Sequence, residues 1–184
     1  MRVVSGKARG LKLNTIESNL TRPTKDMVKE ALFSMLNSYV QDSIFLDLFS
    51  GSGAIAIEAL SRGAKKAYLV DSNKDCINVI KDNIERAKFS DSAIIIHEDY
   101  QKALESFKEV KFDIIYIDPP YNKGLGVDAI EKISSFDMLN GDGVLVFETD
   151  DGEEAPELIG KYEKFKLKKY GRNILNFYKE RSVE

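Results

Sequence analysis

From residue 43 onward, short apolar runs alternate with longer stretches in which apolar residues return every three or four positions. The runs fall at 44–48, 67–70, 93–96, 112–117 and 144–147. Each is short and mostly rich in β-branched or aromatic residues, as strands are. The stretches near 54–62, 73–88, 99–108 and 126–135 have helical spacing. Such alternation predicts an α/β fold, Rossmann-like, with a mostly parallel sheet and helices on both faces. The ends depart from the pattern. Residues 2–4 and 11–13 alternate around a glycine-rich stretch and predict a small β-hairpin. Thr24 is placed to cap a helix carrying Met27, Val28, Ala31, Leu32, Met35 and Leu36 on one face. Asn140-Gly141-Asp142-Gly143 predicts a turn before the fifth strand. Runs at 164–169 and 174–178 flank Tyr170-Gly171-Arg172-Asn173 and predict an antiparallel C-terminal hairpin. No linker or repeat divides the chain, so one domain of 184 residues is expected, 1–20 being the hairpin extension and 21–184 the core.

Composition narrows the class. No apolar stretch approaches the roughly 18 residues that span a bilayer, and Met-Arg-Val-Val-Ser-Gly-Lys is no signal peptide. A cytoplasmic protein with no membrane partner is expected. The single cysteine, Cys76, excludes an internal disulfide or a cysteine-built metal site, and within a helical stretch it reads as structural. No metal is expected. The net charge of −3 hides an asymmetry. Residues 1–30 carry seven Lys/Arg against three Asp/Glu, and residues 161–184 carry eight against three. Basic ends on an acidic body allow a local phosphate-binding patch without general nucleic-acid affinity.

The candidate chemistry lies where strands end. Asp47-Leu48-Phe49-Ser50-Gly51-Ser52-Gly53 leaves the first strand with two glycines, which allow close backbone approach to a ligand. Ala54 then opens a helix whose first N–H groups face that loop. Asp71 ends the second strand, where a carboxylate can accept ribose hydroxyls. Glu98-Asp99-Tyr100 follows the third, where Asp99 could meet an adenine amino group. Phe49, Ser52, Ser72 and Tyr100 belong to the same loops. Acidic residues at three successive strand ends suit a cofactor with ribose and adenine, no pyrophosphate and a positive charge. S-adenosylmethionine fits. A nicotinamide loop stays open on the glycines alone, since Ala56 is tolerated at the third position of that pattern.

Asp118-Pro119-Pro120-Tyr121 separates the readings. Two prolines cannot continue a sheet. The chain must leave the fourth strand there, at the carboxyl end, where open α/β sheets bind ligands. The tetrapeptide matches amino-group methyltransferases of nucleobases. In that chemistry Asp118 and the Pro119 carbonyl accept hydrogen bonds from an exocyclic amine, Pro120 stiffens the turn and Tyr121 stacks on the base. His97, the single histidine, reads as a rim residue near the adenine pocket.

The chain resembles the RsmD-type methyltransferases of small-subunit ribosomal RNA. The resemblance rests on Arg2–Leu13, Thr21-Arg22-Pro23-Thr24, Glu30-Ala31-Leu32-Phe33, Asp47–Ala54, Glu58–Ala64 and Asp118–Tyr121, spread over nearly the whole chain. It implies a class I methyltransferase fold and methyl transfer from S-adenosylmethionine to N2 of a guanine in 16S rRNA. It implies that Thr21–Thr24 borders the pocket and that Arg2, Lys7, Arg9 and Arg22 contact RNA. The partner would be rRNA or a small-subunit particle, met by a monomer. Asp71 stands where the family often has Glu, and Ser50 where Ala is common. Two alternatives remain at this point: a DNA adenine methyltransferase, and a non-catalytic RNA-binding protein on the same fold.

Overall fold

A computed structural model describes residues 1–16, 22–120 and 124–182. Helix α1 (Arg22–Val40) precedes a run of strand–helix units. These are β1 (Ile44–Asp47), α2 (Ala54–Ser61), β2 (Lys66–Asp71), α3 (Lys74–Ala87), β3 (Ala93–His97), α4 (Tyr100–Ser106), β4 (Phe112–Ile117), α5 (Leu125–Ser135) and β5 (Leu139–Asp150). The short β6 (Leu158–Ile159) and the hairpin β7 (Tyr162–Tyr170) and β8 (Asn173–Glu180) complete the chain. The sheet order is β3-β2-β1-β4-β5-β8-β7-β6. Strands β1 to β5 are parallel, and β8, β7 and β6 are antiparallel to their neighbours. The expected fold class is what forms.

Alternation along the central strands explains the continuous apolar runs, because both faces are covered. Phe45, Ile114, Tyr116 and Val146 meet Leu32, Phe33 and Leu36 of α1 and the apolar sides of α2 and α3. Leu46, Ile115, Ile117 and Leu145 meet Leu104 of α4 and Ala129, Ile130 and Ile133 of α5. The chain winds from β1 through β2 to β3 on one side, and from β4 to β5 on the other. The switch point therefore falls between β1 and β4, at their carboxyl ends.

Three expectations need correction. The N-terminal segment is not a hairpin of two strands but a loop closed by one antiparallel bridge, Arg2 to Lys12. Val3 N–H donates to the Leu11 carbonyl and Leu13 N–H to the Met1 carbonyl on either side of that bridge, while Val4, Ser5 and Ala8 donate to side chains of α2. Helix α1 begins at Arg22, so Thr24 lies inside it and is not its cap; Pro23 fits the first turn, where no N–H is needed. Asn140–Gly143 is not a turn ahead of β5 but an irregularity within it. Phe112 pairs with Leu139 and Ile114 with Val144, and the excess residues bulge out, with Asn140 donating to Asp113 at 2.6 Å.

Candidate active site

Asp47 ends β1 level with Leu69 and Tyr116 and is 1% exposed. No hydrogen bond of usual geometry reaches either carboxylate oxygen among the described residues, although the Ala56 N–H and the Ser50 hydroxyl lie near enough to favour the charged form. Burial dominates, and with the charge of Asp71 it pushes the Asp47 pKa from 3.8 to about 7. The next residues turn sharply. Ser50 is held by the Val70 carbonyl, and Gly51 (φ +54°) and Gly53 (φ +77°) take the left-handed conformation that favours glycine. A Cβ on Gly51 would meet nothing within 4 Å, so its surface opens onto free space. No side chain caps α2 at Gly53.

Asp71 accepts from the Gly51 N–H and the Asn73 N–H, both at 2.8 Å. It thereby fixes the glycine loop against β2 and keeps lone pairs for a ligand. Ser72 offers its carbonyl to His97, with the ring nitrogen 3.2 Å away, which places His97 on the rim. Asp99 caps α4 by accepting from Gln101 and Lys102. Phe49 and Tyr100 bring their rings to 5.4 Å, and the Tyr100 hydroxyl donates to Asp128 at 2.7 Å. These residues converge from the ends of β1, β2 and β3.

Asp118 follows β4 on the neighbouring strand and is half-buried; Pro119 is buried and Pro120 exposed. Tyr121 and Thr21 lie outside the described residues, as does the side chain of Arg22. Behind this turn, sequence reasoning missed a buried group. The Tyr116 hydroxyl donates to Glu148, and Asn173 donates to the other Glu148 oxygen at 2.5 Å. Burial first, then the charges of Glu148, Asp118 and Asp47, hold the Tyr116 phenol well above its ordinary pKa, so it stays a donor. Position 116 lies in the same apolar run as Asp118, but its partners come from β5 and β8.

The basic N-terminal residues sit apart from this crevice. Arg2, Lys7 and Arg9 are exposed. The Lys7 N–H donates to the Ser61 carbonyl, so the loop tip rests on the carboxyl end of α2, a helix length of roughly 12 Å from the glycine loop. Two buried residues that sequence reasoning left unassigned place this segment. Glu58 accepts from the Val4 and Ser5 N–H groups and pairs with Lys29 and Arg62. Asn83 exchanges bonds with the Asn14 backbone and donates to the Ser52 carbonyl at 3.0 Å. One buried amide thus joins the N-terminal segment to the glycine loop. Among the described residues no group of three or more His, Cys, Asp or Glu could hold a metal ion, and no helix is long and apolar enough to cross a membrane.

An open glycine cradle, a buried carboxylate with no hydrogen bond of usual geometry among the described residues and an aromatic wall fit a cationic adenosyl cofactor. Together with the sheet order they define a class I methyltransferase dependent on S-adenosylmethionine. A family model described as Conserved hypothetical protein 95 matches residues 1–179, and the chain belongs to that family, the RsmD family. YlbH of Bacillus subtilis is 36% identical over 183 residues, covering 98% of this chain and 100% of YlbH. Ribosomal RNA small subunit methyltransferase D of Haemophilus influenzae is 36% identical over 155 residues, 82% of this chain and 79% of that protein. The solved structure of YhhF from Escherichia coli superposes with a TM-score of 0.87 at 27% identity, covering 100% of this chain and 99% of that one.

Proposed function

We propose that this protein methylates N2 of a guanine in small-subunit ribosomal RNA, acting as a single-domain monomer in the cytoplasm. The observation that carries the reading is the shared crevice: the Asp47 glycine loop and the Asp118-Pro119-Pro120 turn leave adjacent strands at the switch point. The relatives named as small-subunit rRNA methyltransferases give the substrate class.

S-adenosylmethionine, when bound, supplies an electrophilic methyl on a sulfonium. The residues to hold it are Asp47, Phe49, Gly51, Ser52, Gly53, Asp71, Ser72, Asp99 and Tyr100. Asp71 would take the ribose hydroxyls on its remaining lone pairs, and Phe49 with Tyr100 would flank the adenine. On the other side of the crevice, Asp118 and the Pro119 carbonyl accept the two N–H bonds of the target amine. That would fix the direction of its lone pair and offset the positive charge that grows on nitrogen. No strong base is required, because a methylated ammonium is acidic. Buried Tyr116 and Glu148, with half-buried Asn173, would set the floor behind Asp118. Tyr121 stacks on the flipped base, and Arg2, Lys7, Arg9 and Arg22 meet RNA phosphates.

The test is methyl transfer to small subunits from cells lacking this protein, followed by identification of the modified base. N2-methylguanine in the rRNA is expected; methyl transferred only to DNA adenine would overturn the reading. Asp118→Ala should cut single-turnover transfer by two orders of magnitude or more while cofactor affinity stays within about threefold. Transfer at the wild-type rate would show that the turn is structural only.

A further inference from the structure

The C-terminal hairpin supplies a surface that the site does not use. β7 pairs with β8 along its length, but its other edge meets β6 only at Tyr162 and Glu163. Beyond Lys164, then, that edge has no strand partner among the described residues. Residues opposite each other in an antiparallel pair share a face. Lys166 lies opposite Phe177, Lys168 opposite Leu175, and Tyr170 opposite Asn173. Phe177 and Leu175 point into the core on the α1 side, so Lys166, Lys168 and Tyr170 lie on that side too. The register shift between Lys164 and Lys166 leaves Phe165 in a bulge, 48% exposed, with its ring 6.3 Å from Phe177. The Lys179 ammonium sits over both Phe165 (5.3 Å) and Tyr39 (5.2 Å), which fixes the two rings around a positive charge.

Charge pairing is uneven along the hairpin. Lys164 pairs with Glu157, Lys169 with Asp151 and Arg172 with Asp150. Lys166 and Lys168 are exposed and have no ion pair among the described residues. Lysines on an open edge can serve only to prevent pairing with another chain. That purpose would leave the exposed Phe165 ring and its ammonium unexplained. Phosphate-binding lysines interleaved with rings are what a flexible nucleic-acid strand requires, the rings stacking on bases and the ammonium groups meeting phosphates. The direction also fits. β7 runs toward the carboxyl edge, where Tyr170 and Asn173 stand level with Asp150 at the end of β5. A strand lying along β7 over roughly 17 Å therefore leads toward the crevice.

We propose that Phe165, Lys166, Lys168, Tyr170 and Lys179, with Tyr39 behind them, form a second RNA-contacting surface that holds substrate rRNA flanking the target base. This rests on the reading of the chain as an rRNA methyltransferase. The experiment measures binding of protein-free 16S rRNA and of unmodified small subunits across a salt series. It compares wild type with Lys166→Ala/Lys168→Ala, Lys166→Glu/Lys168→Glu and Phe165→Ala, and records melting temperature and cofactor affinity for each. The double alanine should flatten the log-affinity against log-salt slope by about 1.4 for single-stranded RNA. The double glutamate should weaken binding further, and Phe165→Ala should cost about tenfold in RNA affinity through lost stacking. Melting and cofactor affinity should not move. A wild-type slope and affinity in all three folded variants overturns the proposal. Loss confined to the particle, with free rRNA bound normally, also overturns it and assigns the surface to a ribosomal protein. Failure of the parent reading looks different: wild type itself would then transfer no methyl to small-subunit rRNA.

Discussion

Helix α2 has a buried carboxylate near each end, and the two are opposites. Glu58, in its second turn, is 0% exposed and saturated: it accepts Val4 N–H at 2.8 Å and Ser5 N–H at 3.0 Å and pairs with Lys29 and Arg62. Asp47, just ahead of the helix, is 1% exposed and meets no hydrogen bond of usual geometry among the described residues. Glu58 ties two stretches of chain together, and nothing remains to bind a ligand. Asp47 keeps an electrostatic cost that the proposed cationic cofactor would relieve. Burial alone does not mark a functional carboxylate; burial without partners does.

The contrast breaks first at Glu58. Removing one member of a buried ion pair leaves the other charge stranded, so Glu58→Ala should lose about 3–5 kcal/mol of stability. Lys29 is 1% exposed and could find no water in exchange. Chemical denaturation measures the loss. Because the Val4 and Ser5 N–H groups are released together with Lys29, the N-terminal segment should also become susceptible to proteolysis. A variant as stable as wild type, with that segment protected, would show that the ionic cluster is incidental.

Asp47 should respond in the opposite sense. Its folded pKa, about 7, lies above the ordinary 3.8, so the folded state holds a proton that the unfolded state has released. Stability therefore falls as pH rises from about 4 to about 7 and is level above that. Between pH 5 and pH 8 the wild-type protein without cofactor should lose about 3 kcal/mol through this group. Asp47→Asn cannot titrate and should lack that slope, while binding S-adenosylmethionine more weakly. Denaturation curves at both pH values, compared between the two proteins, decide it. Equal slopes would mean that Asp47 is ionised and compensated, and the contrast with Glu58 would collapse.

A smaller effect is expected where the N-terminal loop touches α2. Gly6 has φ +83°, and a Cβ there would lie 1.8 Å from the Ser61 carbonyl oxygen. That oxygen is backbone and cannot swing aside, so Gly6→Ala must lift the tip off the helix. The cost should be about 1–2 kcal/mol, set by loss of the tip's hydrogen bonds rather than by the full clash. Cofactor affinity should be unchanged, since Asn83 still holds Asn14 and Ser52.

Much of this was legible in the sequence because polar residues interrupt apolar runs where strands end. Asp47, Asp71 and Asp118 each stand at such a break, and the glycines after Asp47 and the prolines after Asp118 dictate those two loops. What could not be read depends on partners far along the chain. Glu58 looks like any glutamate in a helix until Val4, 54 residues earlier, is placed on it. Glu148 acquires its meaning from Tyr116 and Asn173, 32 and 25 residues away. Asn140–Gly143 has the composition of a turn, but it forms a bulge inside β5, between Leu139 paired with Phe112 and Val144 paired with Ile114. Alternation at the N-terminus gives the antiparallel pairing of Arg2 with Lys12, but it cannot show that the N–H groups of Val4, Ser5 and Ala8 are taken by side chains of α2, which limits that pairing to one bridge.

The last prediction uses the position of that tip. Lys7 and Arg9 are exposed at the carboxyl end of α2, away from Asp47 and the glycine loop. Charges placed there can hold RNA but cannot reach the reacting amine. Lys7→Ala/Arg9→Ala should therefore flatten the salt dependence of RNA binding by about 1.4 for single-stranded contacts, or about 1.8 for a duplex. The rate of methyl transfer at saturating RNA should stay at the wild-type value, and the loss should appear in KM. Glu58→Ala should reproduce the KM effect by releasing the same residues, but with the loss of stability added. If the double alanine lowers the saturated rate instead, the tip orients the base rather than gripping the backbone, and its distance from the crevice must close when RNA binds. If neither KM nor the salt slope moves, the tip touches no phosphate, and Glu58 anchors it for the stability of α2 alone.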